Sequence, residues 1–404
     1  MREADMSMTV RDPVLVAGAG PVGLVTALLL ARAGVRVKVF EKREELSRAS
    51  RASTFHPPTL AILDELGLAD TAVSAGRIVR EIQYLDGAHQ VLARFDMSNL
   101  ATETPFPFRL HYEQAELTRD IVGALRRLPN AEVTFGAEVI GAETASSRVS
   151  AAVRFPAGPE KVTGSWLFAA DGARSAVRES LGIEFDERPY GTRVLRVMTR
   201  QDLDSVVPGI APLSYIFNDE GSCSLLEMPD CWRIILRVPA EITEKQALTG
   251  DWRREQLGRF FSLSDLREKD FVSVDIFAVS RALAGENQAG RIFLIGDAAH
   301  LTNTRGGMNM NCGIHDAYAI AGALIDTLKG GPASMLERRA GERHEIARNE
   351  LIPRTDRRVA RADDWLREVR ACAGNPIRSR EFLRSASMLD IAPRVKPRRE
   401  SLAG

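Results

Sequence analysis

The fold of this chain is decided by residues 14–41, VLVAGAGPVGLVTALLLARAGVRVKVFE. The apolar run 14–17 stops at Gly18, which is typical of a buried parallel strand followed by a turn. Residues 21–33 are strong helix formers without an internal break, and the proline that begins them suits a first helical turn. A second strand then ends at Glu41. The stretch therefore predicts a β-α-β unit of about 30 residues, in which a helix connects two parallel strands.

The turn between the first strand and the helix is residues 18–23, GAGPVG. This G-x-G-x-x-G pattern predicts a dinucleotide site, because Gly18 permits a tight turn, Gly20 lets the backbone approach a pyrophosphate, and Gly23 lets the helix pack on the strand. Unpaired amides at the helix start attract the phosphates. Glu41 is placed to accept hydrogen bonds from the ribose hydroxyls of an adenosine. The motif alone does not distinguish NAD from FAD.

Beyond this unit the sequence alternates between two kinds of pattern. Segments that extend the dinucleotide-binding unit are separated by a hairpin pattern and later by a long β-rich region. We therefore predict an α/β fold in which a Rossmann-type domain is interwoven with a mostly antiparallel β-sheet substrate domain, followed by a C-terminal helical segment. The predicted Rossmann domain comprises residues 12–76, 108–184 and 285–330, the β-sheet domain 77–107 and 185–284, and the helical segment 331–404.

Local patterns predict the main elements of both domains. Spacings of three and four between apolar residues indicate helices, and short β-favouring runs between turn signals indicate strands. The predicted helices lie over 59–66, 114–128 and 314–328, a hairpin lies over 78–95, and strands lie over 133–135, 149–155, 166–170, 194–198, 213–217, 222–228, 232–238, 271–279 and 291–296. The arginine-rich C-terminal segment shows no clear apolar face.

The composition narrows the class of protein. The 404 residues are 45% hydrophobic and 27% charged, with a formal net charge of zero, which is typical of an ordinary soluble enzyme and favours no nucleic-acid partner. We expect no membrane span, since no run of about 18 apolar residues occurs, and no signal peptide in residues 1–10. The cysteines are too few and scattered for a disulfide framework or a bound metal, which favours a cytoplasmic protein. They are Cys223, Cys231, Cys312 and Cys372.

Two further segments place a carboxylate at the end of a buried strand. Asp171 and Gly172 follow the strand over 166–170, and Asp297 follows the strand over 291–296. By itself, either aspartate could be structural, because helix caps and strand ends commonly carry one.

Taken together, in this order and at these separations, the three motifs resemble the class A flavoprotein monooxygenases, the family of para-hydroxybenzoate and phenol hydroxylases. The resemblance covers about residues 12–325. It implies that the glycine loop holds FAD, that the segment at Asp171 serves both FAD and a nicotinamide cofactor, and that Asp297 contacts the ribityl chain.

Two more stretches match the flavin contacts of the same family. Residues 50–60 resemble the segment whose arginine, here Arg51, touches the pyrophosphate of FAD. Residues 114–120 resemble the helix start whose glutamine, here Gln114, also meets the flavin nucleotide.

In that family the segment after Asp297 continues through a proline to G-G-x-G-x-N, which begins a helix at the flavin ring. The corresponding stretch here is residues 301–311, LTNTRGGMNMN. The glycine pair that ends at Gly307 and the final Asn311 are in the matching positions. Thr304 stands in place of the proline, and Asn309 stands in place of the third glycine.

The resemblance assigns this stretch to the flavin ring and the substrate pocket. The backbone amides of Met310 and Asn311 are expected to face the pyrimidine edge of the flavin, where the positive helix end stabilises the reduced anion. Thr304 and Arg305 either reshape the pocket or anchor an anionic substrate, but Arg305 is interpreted first as a solvated loop arginine.

The activity that the resemblance implies is hydroxylation of a small electron-rich aromatic substrate, such as a phenol, an aniline or a heteroaromatic compound. NADPH or NADH reduces FAD, O₂ adds to give a flavin C4a-hydroperoxide, and its terminal oxygen passes to the ring. A monomer or homodimer is expected. The sequence ranks no catalytic residue and assigns no metal ligand. Its candidate bases are His56, His111, His300, His315, Tyr190 and Tyr215.

Other functions remain open from the sequence. The same scaffold supports epoxidation, Baeyer–Villiger oxidation, halogenation and prenyl reduction, although the W-x-W-x-I-P segment usual in halogenases is missing. A membrane quinone hydroxylase is conceivable. The alternative from another class is a non-enzymatic flavin-binding protein, which only the departures at Thr304 and Asn309 support.

Overall fold

The stretch 14–41 folds into the predicted β-α-β unit in a computed structural model that describes residues 12–49, 51–262, 266–359 and 362–395. The strands β1 (Val14–Ala17) and β2 (Val37–Glu41) pair in parallel, and helix α1 (Pro21–Arg32) connects them. Strand β1 is fully buried, and so is almost all of α1. The apolar side chains of β1 and α1, which flank the turn, therefore form the core of this unit. The expectation for residues 1–10 lies outside the described residues.

The remaining elements follow in chain order. The strands are β3 (Thr54–Phe55), β4 (Arg77–Val79), β5 (Glu81–Asp86), β6 (Val91–Asp96), β7 (Arg109–His111), β8 (Ala131–Phe135), β9 (Glu138–Thr144), β10 (Val149–Phe155), β11 (Gly158–Gly164), β12 (Trp166–Ala169), β13 (Phe185–Thr199), β14 (Leu213–Asn218), β15 (Gly221–Glu227), β16 (Trp232–Pro239), β17 (Phe271–Ala284), β18 (Gln288–Ala289), β19 (Ile292–Leu294) and β20 (His300–Leu301). The helices are α2 (Pro57–Glu65), α3 (Ala69–Ala75), α4 (Gln114–Leu125), α5 (Ala176–Ser180), α6 (Glu244–Ala247), α7 (Gly250–Gly258), α8 (Asn309–Leu328), α9 (Ala333–Ile346), α10 (Ile352–Arg357), α11 (Ala362–Ala373) and α12 (Pro376–Ala386).

A largely parallel sheet organises the first domain. Its strand order is β18-β19-β12-β1-β2-β8, and every pair except β18–β19 is parallel. The strands β19, β12 and β1 are neighbours, so their carboxyl ends meet at one edge, where ligands of such sheets bind. Gly18, Asp171 and Asp297 follow these three ends. The predicted Rossmann-type architecture is confirmed.

A second, mostly antiparallel sheet is built from two separate parts of the chain. Its order is β20-β17-β13-β16-β15-β14-β5-β6, and only β14 and β5 pair in parallel. The predicted hairpin is confirmed as β5 and β6, which pair antiparallel and extend this sheet. The chain thus enters the sheet twice, as the interwoven architecture predicts.

The local features that differ from the sequence expectation include a small additional sheet and an earlier helix start. Strands β9 and β11 flank β10 in a small antiparallel sheet, although only β10 was predicted; β11 is mostly exposed and lacks an apolar signal. Helix α8 begins at Asn309, five residues before the predicted start at 314. Asparagine is a weak helix former, but here the side chains of Asn309 and Asn311 hydrogen-bond to neighbouring segments and stabilise the first turn.

The C-terminal helices have an apolar face, contrary to the expectation from the sequence. Trp365 and Val369 of α11 and Phe382 of α12 are buried against the second sheet, where the Phe382 ring lies 4.3 Å from that of Phe95. Because many arginines occupy the outer positions of these helices, the periodic apolar pattern is difficult to recognise in the sequence. Residues 360–361 and 396–404 of the predicted segment lie outside the described residues. None of the described helices is both long and apolar enough to cross a bilayer.

Candidate active site

The glycine loop packs directly against the loop that follows β12. A Cβ atom on Gly18 would lie 2.4 Å from the carbonyl oxygen of Ala170, and the φ of Gly18 is +97°. A Cβ on Gly23 would lie 2.2 Å from the carbonyl oxygen of Gly18. A Cβ on Gly20 would meet no atom within 4 Å. The first and third glycines are therefore required by the fold itself, whereas Gly20 borders the open space in front of the α1 amino terminus.

Glu41 is joined to the glycine loop by a hydrogen bond. Its Oε2 accepts from the backbone amide of Ala19 at 2.8 Å, its Oε1 accepts from the amide of Arg43 at 3.1 Å, and only 7% of the residue is exposed. Each carboxylate oxygen has a second lone pair, so the group can also accept from a ribose hydroxyl. The predicted ribose contact therefore lies beside the loop.

Arg51 and Gln114 lie in adjacent segments of the structure. The amide of Gln114 donates to the carbonyl oxygen of Ala52 at 3.1 Å, which extends the pairing of β3 with β7. The Arg51 charge acts on the carboxyl group of Asp297 and favours its ionised form. Three predicted site residues that are far apart in sequence are thereby brought to one region. Ser50, which begins the matched segment, lies outside the described residues.

The two strand-end aspartates follow neighbouring strands of the parallel sheet. Asp171 accepts from the Val177 amide at 3.3 Å, and its Oδ1 is buried without a hydrogen-bond partner among the described residues. Burial raises the pKa of Asp171. Asp297 is reachable by solvent although protein surrounds it densely enough to raise its pKa, which places it on the wall of a deep groove. An unpaired carboxylate oxygen and a groove-wall carboxylate suit the hydroxyl groups of a bound FAD.

A chain of hydrogen bonds runs from the exposed Asp297 into the interior. The Asn309 amide group donates to Asp297 at 2.8 Å, and its oxygen lies 3.1 Å from Nδ1 of His300. Nε2 of His300 lies 2.7 Å from one oxygen of Asp316, and Nε of Arg343 donates to the other at 2.7 Å. Asn309, which replaces a glycine of the family pattern, is thus a link in this chain.

The charges of this cluster fix its protonation. Burial lowers the pKa of His300, but the charge and hydrogen bond of Asp316 outweigh burial and raise the pKa well above its usual value. His300 is therefore an imidazolium that donates from both nitrogens, and it is unsuited to act as a base. With Cys312 and Asp316, His300 has the spacing of a metal site, but Arg343 already supplies the cation there. The predicted absence of a metal ligand stays a prediction.

The other candidate bases occupy three different environments. His111 bonds to the carbonyl oxygen of Glu227 and His315 to the hydroxyl of Thr59, and burial lowers the pKa of each histidine to about 3. Tyr190 donates to Asp356. These three groups have structural partners and are not assembled into one site.

His56 is the histidine that adjoins the flavin-ring segment. Its Nε2 lies 2.9 Å from the carbonyl oxygen of Gly306, and its Nδ1 is buried without a hydrogen-bond partner among the residues that the structure describes. Burial, followed by the charge of Arg109, lowers the pKa of His56 well below its usual value. Its backbone amide is held by the Asn311 side chain at 2.9 Å.

The predicted residues at the flavin ring form one tight structure. Asn311 donates to the carbonyl oxygens of Thr54 at 2.8 Å and Gly307 at 2.7 Å, so its side chain supports the loop. Met310 and Asn311 lie in the first turn of α8, where amides have no partner within the helix. Their amides are therefore available to a ligand at this helix end.

A tightly packed pocket without room for a water molecule lies beside this loop, between the second sheet and the C-terminal segment. Tyr84 and Tyr215 of the sheet stack with ring centroids 5.1 Å apart. Arg305 donates to the carbonyl oxygen of Arg358 at 2.8 Å and to the hydroxyl of Ser222, so the interpretation of Arg305 as a solvated loop residue is wrong. The lining residues are Tyr84, Tyr215, Phe217, Arg305, Arg358 and Trp365.

Arg358 and Trp365 were not predicted as site residues. They belong to no motif, and both follow the part of the chain that carries the family resemblance. The guanidinium of Arg358 nevertheless lies against Gly306, where a Cβ would come within 2.2 Å of its Nη1. Only the packing of the C-terminal segment places these side chains in the pocket.

The chain is similar to known flavoproteins over most of its length. A family profile described as an FAD binding domain matches residues 11–351. The chain is 32% identical over 333 residues to para-nitrophenol 4-monooxygenase of Pseudomonas sp. (strain WBC-3), covering 81% of each protein. It is 30% identical over 329 residues to 6-hydroxy-3-succinoylpyridine 3-monooxygenase of Pseudomonas putida (strain DSM 28022 / S16), covering 80% of this chain and 82% of that one.

Solved structures show the same likeness. The p-nitrophenol 4-monooxygenase of Pseudomonas putida DLL-E4 superposes with a TM-score of 0.86 and 27% identity, covering 95% of this chain and 99% of that one. A ternary complex of aklavinone-11 hydroxylase with FAD and aklavinone superposes with a TM-score of 0.72 and 28% identity, covering 84% and 66% of the two chains. Each named protein is a monooxygenase or a hydroxylase.

Proposed function

Because the chain belongs to the FAD-binding-domain family of class A flavin-dependent aromatic monooxygenases, we propose that it hydroxylates a small electron-rich aromatic ring, such as a phenol, an aniline or a heteroaromatic compound. FAD is its cofactor, and NADPH or NADH is the co-substrate. The observation that carries the proposal is a cluster of aromatic and arginine side chains that packs against the Gly306–Gly307 loop, beside the helix start that is proposed to meet the flavin ring. Bound FAD supplies the reduction and oxygen-activation chemistry.

The residues of the chain bind and orient in this proposal. Gly18, Gly20 and Gly23 admit the pyrophosphate at the α1 amino terminus, assisted by Arg51 and Gln114. Glu41 accepts from the adenosine ribose. Asp171 and Asp297 accept from hydroxyls along the groove. Gly307, Met310 and Asn311 form the wall at the flavin ring. The lining aromatic rings exclude water from the reacting ring, and no protein nucleophile is required.

The domain organisation, partners, location and oligomeric state of the chain are also proposals. We keep the Rossmann domain at 12–76, 108–184 and 285–330, the β-sheet domain at 77–107 and 185–284, and the helical segment at 331–404. The zero net charge supports a protein without a nucleic-acid partner. The four cysteines are free thiols, which supports a cytoplasmic location, and we propose a monomer or homodimer.

The reaction class is tested by following one oxygen atom. We expect purified holoenzyme to consume NADPH or NADH faster when para-nitrophenol or a related phenol or aniline is present, and ¹⁸O₂ to label the product with one oxygen. Product mass and NAD(P)H consumption are measured together. Stimulated consumption that yields only hydrogen peroxide across the whole panel would contradict ring hydroxylation. An absence of flavin reduction under all conditions would favour a non-enzymatic flavoprotein.

Replacement of Asp297 tests the proposed cofactor groove. We expect Asp297→Ala to weaken FAD binding by about 10- to 100-fold, because an acceptor for a cofactor hydroxyl is lost and Asn309 loses its partner. The measurement is titration of apoprotein with FAD, followed by flavin fluorescence. Asp326→Ala is the matched control, since Asp326 is exposed on α8 and should leave the affinity unchanged. Equal loss in both variants would argue against the assignment.

A further inference from the structure

Asn309 takes the place of a glycine in the family pattern, and both polar atoms of its side chain have a partner. The amide nitrogen Nδ2 donates to Oδ1 of Asp297 at 2.8 Å, and the amide oxygen lies 3.1 Å from Nδ1 of His300. Asn309 is the first residue of α8, whereas Asp297 and His300 belong to the segment that follows β19. The side chain that replaces the glycine therefore connects the helix start to the strand-end segment.

The direction of the Asn309 amide follows from the charge state of His300. Nε2 of His300 lies 2.7 Å from Asp316, which also binds Arg343 at 2.7 Å. His300 and Asp316 are only 2% and 3% exposed, so both charges persist because they are paired. As an imidazolium, His300 donates from both ring nitrogens, and its Nδ1–H requires an acceptor. The amide oxygen of Asn309 is that acceptor, which leaves the NH₂ group for Asp297.

The opposite orientation of this amide is unfavourable at both ends. An amide oxygen turned toward Asp297 would face a carboxylate oxygen, and an NH₂ group turned toward His300 would face an N–H donor. A buried donor without an acceptor loses its hydrogen bond to water and gains none in the protein. The charge of the buried His300 therefore fixes a hydrogen-bond donor at Asp297, although the side chain between them is uncharged.

The carboxylate of Asp297 depends on this donor for a defined orientation. Asp297 is exposed at the end of its strand, and it forms no salt bridge within the part of the chain that the structure describes. The charged groups that act on it are His300 and Arg51. The bond from Asn309 uses one lone pair of Oδ1 and restricts rotation of the carboxylate, so its other lone pairs point in fixed directions. A binding group that is held in place before the ligand arrives loses less entropy on binding.

We propose that Asn309 is a positioning residue for FAD, which transmits the orientation set by the buried His300 to Asp297 and holds that carboxylate ready to accept from a hydroxyl of the cofactor. The inference rests on the proposed function, because it requires the proposed contact between Asp297 and FAD. It goes beyond that contact, since it gives a role in cofactor binding to two residues, Asn309 and His300, that have no proposed contact with FAD themselves.

FAD release from the holoenzyme tests the role of Asn309. We expect Asn309→Ala to raise the dissociation constant for FAD by about 5- to 20-fold, because Asp297 then lacks its donor and rotates freely. Flavin fluorescence after dilution of the holoenzyme measures this constant. Asn349→Ala is the matched control, since Asn349 is an exposed residue that bonds to Glu345 and should leave the affinity unchanged.

An aspartate at position 309 separates positioning from a merely structural role. Asn309→Asp keeps the size of the side chain and suits the first turn of a helix, but it places an acceptor where Asp297 requires a donor. We expect it to weaken FAD binding more than Asn309→Ala at about pH 8, and to recover affinity toward about pH 5, because adjacent carboxylates readily share a proton. Asn309→Ala should show no such recovery.

A double-mutant cycle tests whether His300 acts through Asn309. His300→Gln leaves Arg343 to balance Asp316, so the buried cluster keeps one complete ion pair. Alone, this substitution should raise the dissociation constant for FAD by about 3- to 10-fold. In the Asn309→Ala background it should change the constant by less than about twofold, because the connection to Asp297 is already interrupted.

Urea unfolding of each variant checks that it is folded. If His300→Gln does not fold, the comparison of Asn309→Ala with Asn309→Asp still decides, since neither of these removes a buried charge. Additive effects in the cycle, or wild-type FAD affinity in Asn309→Asp, would overturn the inference. Loss of affinity in Asp297→Ala but not in Asn309→Ala would sink this inference alone. Oxygen transfer at saturating FAD is measured separately, so failure of the proposed reaction is distinguished from failure of this inference.

Discussion

Gly23→Ala and Gly18→Ala should prevent formation of a stable protein, whereas Gly20→Ala should fold and fail to retain FAD. The added Cβ would lie 2.2 Å from a backbone oxygen at Gly23 and 2.4 Å from one at Gly18. Backbone atoms of a buried strand–helix unit cannot move aside cheaply, so we expect a loss of at least about 3 kcal/mol in unfolding free energy. At Gly18 the positive φ adds further strain.

At Gly20, unlike Gly18 and Gly23, the fold itself leaves room for a side chain. Its φ of −73° and ψ of 173° suit any residue, and its Cβ would contact no protein atom within 4 Å. We expect Gly20→Ala to unfold like the wild type as apoprotein but to bind FAD about 10- to 100-fold more weakly, because the methyl group enters the space of the pyrophosphate. Urea unfolding of apoprotein and FAD titration separate the two effects. Unaltered FAD affinity in Gly20→Ala would show that the pyrophosphate lies elsewhere.

Asp316→Ala should cost about 3–5 kcal/mol of unfolding free energy, the usual effect of removing one partner from a buried charge pair. Asp316 is the acceptor for both His300 and Arg343, so its removal leaves two buried cations without a counterion. Urea unfolding provides the measurement. Asp326→Ala lies on the same helix but is exposed, and it should cost little. A loss below about 1 kcal/mol in Asp316→Ala would contradict the described network.

The lowered pKa of Asp316 predicts the pH range in which this residue stabilises the folded protein. Burial raises the pKa of Asp316, but the charges of Arg343 and His300 outweigh burial and lower it to about 2. An unfolded chain holds such a group near about 3.9, so the unfolded state binds the proton first as pH falls. The stabilisation by Asp316 is therefore present above about pH 4 and is lost as the pH falls toward about 2. Asp316→Ala should show a smaller acid-induced loss of stability than the wild type.

More of the residues that we propose for the cofactor than of those that line the pocket could be predicted from the sequence. Gly18, Gly23 and Glu41 lie within one continuous stretch, where strand, turn and helix patterns restrict one another. The strand ends at Asp171 and Asp297 are also local signals, and neighbouring parallel strands bring them to one edge. Local sequence patterns and the order of the parallel strands together are therefore enough to predict where the proposed FAD-binding residues lie.

The substrate pocket depends on contacts between distant segments. Arg305 reads as a surface residue in a polar loop, and its burial becomes apparent only when α10 and α11 cover it. Tyr84 and Tyr215 stack because β5 and β14 are neighbouring parallel strands that place these two residues side by side. The two residues are far apart in the chain, and no local spacing links them. Register and docking of this kind are not encoded in any short window of residues.

The docking of the C-terminal helices on the second sheet has a consequence for how such enzymes diversify. The segment after α8 contributes Arg358 and Trp365 to the pocket but none of the proposed FAD contacts. Arg343, which binds Asp316, also lies after α8, so we expect only changes within residues 352–386 to alter substrate range while leaving flavin affinity intact. The residues that we propose to bind FAD and the pocket residues of the C-terminal helices therefore lie in different parts of the chain. This makes residues 352–386 the first region to mutate when a new substrate is sought.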